Sequence, residues 1–195
     1  MSDEILIRER TRIIELPEPV SFKSKSWAAL ELRVPKMGEL KRAQAYFKNS
    51  VVSATMMNIA IVSIVTGIPL EAIEEIETDF SLDAADWLFG FIPKPKDDPS
   101  TGERTRTIEF PQQLEFNGQS WAALELRVPK MGELKKAQTH YKGTVDSATQ
   151  VNIAITSIVS GIPLLAVEKI DIDLGMEAAE WLLGFMPKPP QISET

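Results

Sequence analysis

Apolar residues alternate with charged residues at Leu30, Leu32 and Val34, a period of two that is typical of a strand with one buried face. The preceding segment T-R-I-I-E-L, residues 11–16, is rich in β-prone residues and stops before Pro17. Polar, turn-like residues separate the two segments. The pattern therefore predicts a β-hairpin.

After Pro35 the apolar positions follow the period of a helix. Gly67, with a proline two residues later, is a strong helix stop signal. For the last helix, Asp79 or Ser81 is a candidate N-cap, and Leu82 is expected to pack inward. The predicted helices cover residues 36–47, 51–65, 69–76 and 82–92.

The same pattern is written twice, and every landmark recurs 94 positions later. Between residues 9–97 and 103–191, about 55 of 89 pairs are identical, and residues 26–41 recur unchanged as 120–135. In the second copy, Asn117-Gly118 is a strong hairpin-turn signal. The fold class is therefore α+β, with two tandem repeats, each a β-hairpin followed by about four α-helices. We predict units at residues 9–93 and 103–187, joined by a linker at 94–102.

Composition narrows the functional classes. The 195-residue chain has no cysteine and a net charge of -7, which disfavours disulfides, thiolate metal sites and general affinity for nucleic acid or anionic membranes. Its longest apolar run is too short to span a bilayer, and its charged N-terminus does not resemble a secretory signal. We therefore expect the protein to stay in the cytoplasm where it is made.

The sequence offers no convincing catalytic constellation. His140 is the only histidine, and Tyr46 stands at its position in the first copy. The acidic residues that occur in both copies include Glu31, Glu39 and Asp79, which are explained as a strand surface residue, a first-turn residue and a helix cap, respectively. No phosphate-binding loop, nucleophile elbow or metal-ligand cluster is recognisable. We predict no enzyme activity, no cofactor and no metal.

Differences between the copies point to contact surfaces. Val52 and Met56 lie four residues apart, on one helical face, and become Asp146 and Gln150. One hypothesis is that the units have become non-equivalent, each docking on the other or on a partner; neutral drift at half-exposed sites is the alternative. The candidate partner-contact residues are Val52, Met56, Met57, Leu165 and Ile172.

The order of motifs resembles the small tail assembly chaperones of long-tailed bacteriophages of the P2-like and Mu-like kinds. The resemblance rests on I-I-E-L-P-E-P-V, L-E-L-R-V-P-K-M-G-E-L, S-I-V-T-G-I-P-L-E-A-I-E-E-I-E-T-D and A-A-D-W-L-F-G-F, which have counterparts in both copies. Members of the family usually carry one such unit, whereas this chain carries two. Two fused units would replace a homodimer or double the valency, and a homo-oligomer remains open.

The resemblance implies a non-catalytic role in the host cell cytoplasm. A chaperone of this kind binds the tape measure protein, keeps its apolar helical segments soluble and helps the tail tube protein polymerise around it. Nucleic acid and membranes are not among the implied partners. The competing interpretation is a structural tail or baseplate adaptor protein that is retained in the virion.

Overall fold

The computed structural model describes residues 9–48, 51–93 and 103–185, in which the chain forms two copies of one α+β unit. Each copy is an antiparallel two-stranded hairpin followed by four helices, as predicted. Unit 1 contains β1 (Thr11–Phe22), β2 (Lys25–Arg33), α1 (Met37–Gln44), α2 (Val51–Thr66), α3 (Leu70–Ile73) and α4 (Thr78–Phe89). Unit 2 contains β3 (Thr105–Phe116), β4 (Gln119–Arg127), α5 (Met131–Gln138), α6 (Val145–Ser160), α7 (Leu164–Val167) and α8 (Ile172–Leu183). The linker predicted at residues 94–102 lies outside the described residues.

The first strand of each unit is longer than predicted. β1 does not stop before Pro17 but continues to Phe22, and its pairing with β2 shifts in register between Glu15 and Val20. Proline has no N–H group for the ladder, but a two-stranded sheet has only edge strands, and a register shift accommodates the missing donor. β3 has the same irregularity at the equivalent place.

The hairpin turn of unit 2 is confirmed at Asn117-Gly118. Both residues have positive φ angles, 49° and 77°, and they connect the last pair of the ladder, Phe116 and Gln119. Two consecutive residues with positive φ are required by the tight turn whose twist matches that of the flanking strands. The sequence therefore fixes this turn locally.

α2 agrees with its predicted range within one residue, whereas α1, α3 and α4 all end about three residues earlier than predicted, and α4 also begins four residues earlier. The predicted stop after α2 is confirmed, since Gly67 has a left-handed φ of 72°. The predicted caps of α4 are wrong, because extended Glu77 precedes the helix and places both Asp79 and Ser81 within it. Leu82 is 42% exposed, so it does not pack inward as expected.

The two units share part of their packing. The core of unit 1 joins the hairpin to α2 and α4 through residues such as Leu30, Ile61 and Leu88. The core of unit 2 contains its own equivalents but also buries four side chains of unit 1: Val34, Met37, Leu40 and Phe91. The units are therefore docked on each other. No helix in the described ranges is long and apolar enough to cross a membrane.

Candidate protein-binding surfaces

The start of α1 forms the centre of the contact between the units. We call residues 35–41 the donor segment; residues 129–135 of unit 2 have the same sequence, P-K-M-G-E-L-K. Glu39 fixes the first helical turn, because its carboxylate accepts hydrogen bonds from Lys36 N at 2.8 Å and from Arg33 Nη2 at 2.7 Å. This hydrogen bond with Glu39 raises the pKa of Arg33 above its ordinary value, and burial opposes the shift.

The same local arrangement occurs in unit 2. Arg127 Nη2 lies 2.7 Å from Glu133 Oε1, and Lys130 N donates to Glu133 Oε2 at 2.7 Å. The hydrogen bond from Arg127 is the main reason why the pKa of Glu133 falls to about 2. Both segments are therefore held in the same conformation before any contact outside their own unit is considered.

Backbone hydrogen bonds join the donor segment to unit 2. Met37 N donates to Ile170 O and Gly38 N donates to Glu168 O, both at 2.9 Å, while Ile172 N donates to Pro35 O at 2.9 Å. The first N–H groups of a helix have no partner within the helix, so α1 satisfies two of them with carbonyl groups that follow α7. The contact thus combines two N–H donors of α1 with one N–H donor of unit 2, at the start of α8.

Two glycines permit this close approach. A Cβ atom on Gly38 would lie 3.0 Å from Glu168 Cβ, and one on Gly175 would lie 2.5 Å from Met37 Cγ. The backbone of α8 therefore leaves the space that the fully buried Met37 side chain fills. Glycine lowers the stability of a helix. The contact with Met37 accounts for its presence inside α8.

Ion pairs surround the backbone contact. The ammonium group of Lys36 pairs with Asp171 and that of Lys41 pairs with Glu168. Arg10 reaches both Asp171, at 2.7 Å, and Asp173, at 2.9 Å. The Arg10 pKa is raised above its ordinary value, mainly by the hydrogen bond to Asp173 and against the effect of burial.

Helix α6 completes the surface on which α1 docks. Lys41 Nζ donates to Gln150 Oε1 at 3.0 Å, and Thr149 Oγ1 donates to Gln44 Oε1 at 2.6 Å. We call Gln150, residues 168–172 and Gly175 the acceptor face. It combines acidic side chains, the carbonyl groups that accept hydrogen bonds from α1, and the space beside Gly175 that Met37 fills. These features match the basic, methionine-bearing donor segment.

The counterparts of both surfaces have no such contact among the described residues, although on unit 1 Met56 is half-buried and Ser81 is buried. Met131, which corresponds to Met37, is 68% exposed where Met37 is 0% exposed, and a Cβ atom on Gly132 would meet nothing within 4 Å. On unit 1 the counterpart of the acceptor face comprises Met56, residues 74–78 and Ser81; we call it the open acceptor face. Its acidic residues Glu74 and Glu77 are exposed. The two donor sequences are identical, yet Met37 is buried in one and Met131 is exposed in the other.

The five candidate contact residues lie in different surroundings. Val52 is 75% exposed and Leu165 is 59% exposed, whereas Met56 is half-buried. Met57 is half-buried against the core of unit 1. Ile172 is fully buried beside the donor segment, and its N–H group bonds to Pro35. In this arrangement Ile172 contacts unit 1 and offers no exposed surface to another protein.

Sequence reasoning missed the acceptor face. In the sequence, Gln150 stands out only as a polar residue at the position of Met56. In the structure, it accepts a hydrogen bond from Lys41 of unit 1. The change from Ser81 to Gly175 was a signal, because a glycine inside a predicted helix often marks a close approach of another chain segment. Within the described ranges, no cluster of three or more histidine, cysteine or carboxylate side chains could hold a metal ion.

Comparison with known families decides the identity of unit 2. The model of the family described as phage tail assembly chaperone proteins, E, or 41 or 14, matches residues 105–186. Unit 2 belongs to the phage tail assembly chaperone family. A role in phage tail assembly follows, and interaction with tail proteins is implied by the family. Neither the curated proteins nor the solved structures that were compared contain a match to this chain.

Proposed function

We propose that both units are tail assembly chaperone units, and that the chain binds the tape measure protein in the host cytoplasm without catalysing a reaction. In this role it keeps the partner soluble and promotes polymerisation of the tail tube protein around it. The observation that carries the proposal is the family match of unit 2. Unit 1 is included because about 55 of 89 aligned pairs are identical.

The surface of α2 supports a role in protein binding. Val52 is 75% exposed, and Met56 lies one turn further along the same helical face. Exposed apolar side chains on a helix are suited to an amphipathic helical partner, and methionine adapts to varied partner shapes. Asp146 and Gln150 occupy these positions in unit 2, and Gln150 is engaged by Lys41. We therefore assign partner binding to unit 1.

Co-expression with the tape measure protein of the same phage tests the proposal. We expect the wild-type chain to yield a soluble complex, and V52D/M56Q to reduce its recovery several-fold while the circular dichroism spectrum is unchanged. The matched control is I13T, because Ile13 is also exposed and unit 2 has a threonine there. A wild-type chain that leaves the tape measure protein insoluble contradicts the proposal.

Mass spectrometry of purified virions distinguishes this role from that of a tail or baseplate adaptor. A chaperone acts during assembly and leaves, so its peptides should be absent or far below the abundance of tail tube peptides. Recovery of the chain in stoichiometric amounts would establish the adaptor role instead.

A further inference from the structure

The internal contact between the units is heterologous, since two different surfaces meet. The donor segment of unit 1 occupies the acceptor face of unit 2, which leaves residues 129–135 and the open acceptor face without an equivalent contact within residues 9–48, 51–93 and 103–185. A heterologous contact can repeat from one copy to the next. A second copy of the chain is therefore an occupant for which the internal contact provides a template.

Charge favours this occupant. A groove of unit 1 beside β1 is lined by the carboxylates of Glu71, Glu74, Glu75 and Glu77. The equivalent groove of unit 2 is lined by Arg10, Arg33 and Lys36 of unit 1. The exposed counterparts of these basic residues on unit 2 are Arg104, Arg127 and Lys130. A second copy would bring this basic set to the acidic groove.

Two residues work against the repeat. Ser81 stands where the acceptor face has Gly175, and a Cβ atom at that place would lie 2.5 Å from Cγ and 2.7 Å from Sδ of the docked methionine. The exposed Thr78 also replaces Ile172, which is fully buried against the donor segment. Overpacking and the loss of an apolar contact both weaken docking.

We propose that the donor segment of unit 2 docks on the open acceptor face of unit 1 in a second copy of the chain, and that Ser81 keeps this self-association weak. Met131 takes the place of Met37, while Lys130 and Lys135 face Glu77 and Glu74. The Cβ atom of Ser81 thus lowers the affinity of one copy of the chain for another. Met56 belongs to both proposed surfaces, but self-association is measured on the chain alone, so its failure is distinguishable from a failure of tape measure binding.

Sedimentation velocity over a range of concentrations tests the proposal with the full chain. S81G should associate about tenfold more tightly than the wild type, because removing Cβ opens the slot. S81A retains Cβ and should behave as the wild type. Adding M131D to S81G should abolish the gain. Equal association of wild type, S81A and S81G overturns the proposal, as does a gain that survives M131D.

A charge-reversal pair keeps the test valid if S81G does not fold. One variant carries K130E/K135E and the other carries E74K/E77K, all at exposed positions. Each alone should lose association, because like charges face each other, and an equimolar mixture at high concentration should regain it. A mixture that remains as dissociated as its components contradicts the proposed contact.

Discussion

The side chain of Met37 lies directly against the backbone of Gly175, so that a Cβ atom at position 175 would be 2.5 Å from Met37 Cγ. These residues belong to different units and are fitted to each other. The equivalent pair, Met131 and Ser81, lacks the glycine. Two units of similar sequence therefore dock in one order, with the donor segment on unit 1 and the acceptor face on unit 2.

G175S should lower the free energy of unfolding by about 1–3 kcal/mol, because the new side chain would overpack the contact with Met37. Urea denaturation followed by circular dichroism measures the change. G132S is the matched control, since a Cβ atom on Gly132 meets nothing within 4 Å. If the two variants are equally stable, Met37 does not fill a tight slot.

D171A should also destabilise the protein, by about 1–3 kcal/mol, because it removes the common acceptor of Lys36 and Arg10. E77A removes the equivalent, exposed acid of unit 1 and should change stability little. Both acids directly precede a helix without capping it through their side chains, so capping does not bias the comparison. Similar losses of stability in both variants would show that the ion pairs between the units do not stabilise the fold.

Glu133 should titrate with a pKa of about 2, below its ordinary value of 4.5, because Arg127 donates hydrogen bonds to the ionised carboxylate. The folded state lowers this pKa, so the pair stabilises the fold fully above about pH 4.5 and loses this contribution as the pH falls towards 2. Carboxyl carbon NMR measures the titration. R127M should move the pKa back towards 4.5; a wild-type Glu133 that already titrates there excludes the interaction.

T156V should stabilise the protein by about 1 kcal/mol, because the Thr156 hydroxyl is buried without a hydrogen-bond partner in the described part of the chain. Unit 1 has Val62 at this position, also fully buried, so valine fits the site. The reciprocal variant, V62T, should be destabilised by a similar amount. Thermal unfolding measures both, and a T156V protein that is less stable than wild type would reveal an unrecognised partner of the hydroxyl.

Local features of the sequence were sufficient to predict most strands and helices of each unit. The turn at Asn117-Gly118 and the helix stop at Gly67 depend on backbone conformations that few residues adopt. The extension of β1 through Pro17 was not predicted, because it depends on pairing with β2 rather than on the propensity of the strand itself.

The contact between the units could not be predicted from local patterns. Met37 and Met131 lie in identical segments of 16 residues, yet one is fully buried and the other is mostly exposed. Their difference arises from Gly175 and its neighbours, which are far from Met37 in the sequence. Comparison of the copies did identify Met56, Gln150 and Ile172 as divergent, but the covering of Gln150 and Ile172 by unit 1 required the three-dimensional structure.

Methionine oxidation tests most directly the central claim that docking makes identical segments non-equivalent. Under limited peroxide treatment of the native chain, peptide mass spectrometry should find Met131 converted to the sulfoxide much faster than Met37, because only Met131 is accessible. In the unfolded chain, the two rates should be equal. Equal rates in the native chain would contradict the docking of unit 1 on unit 2.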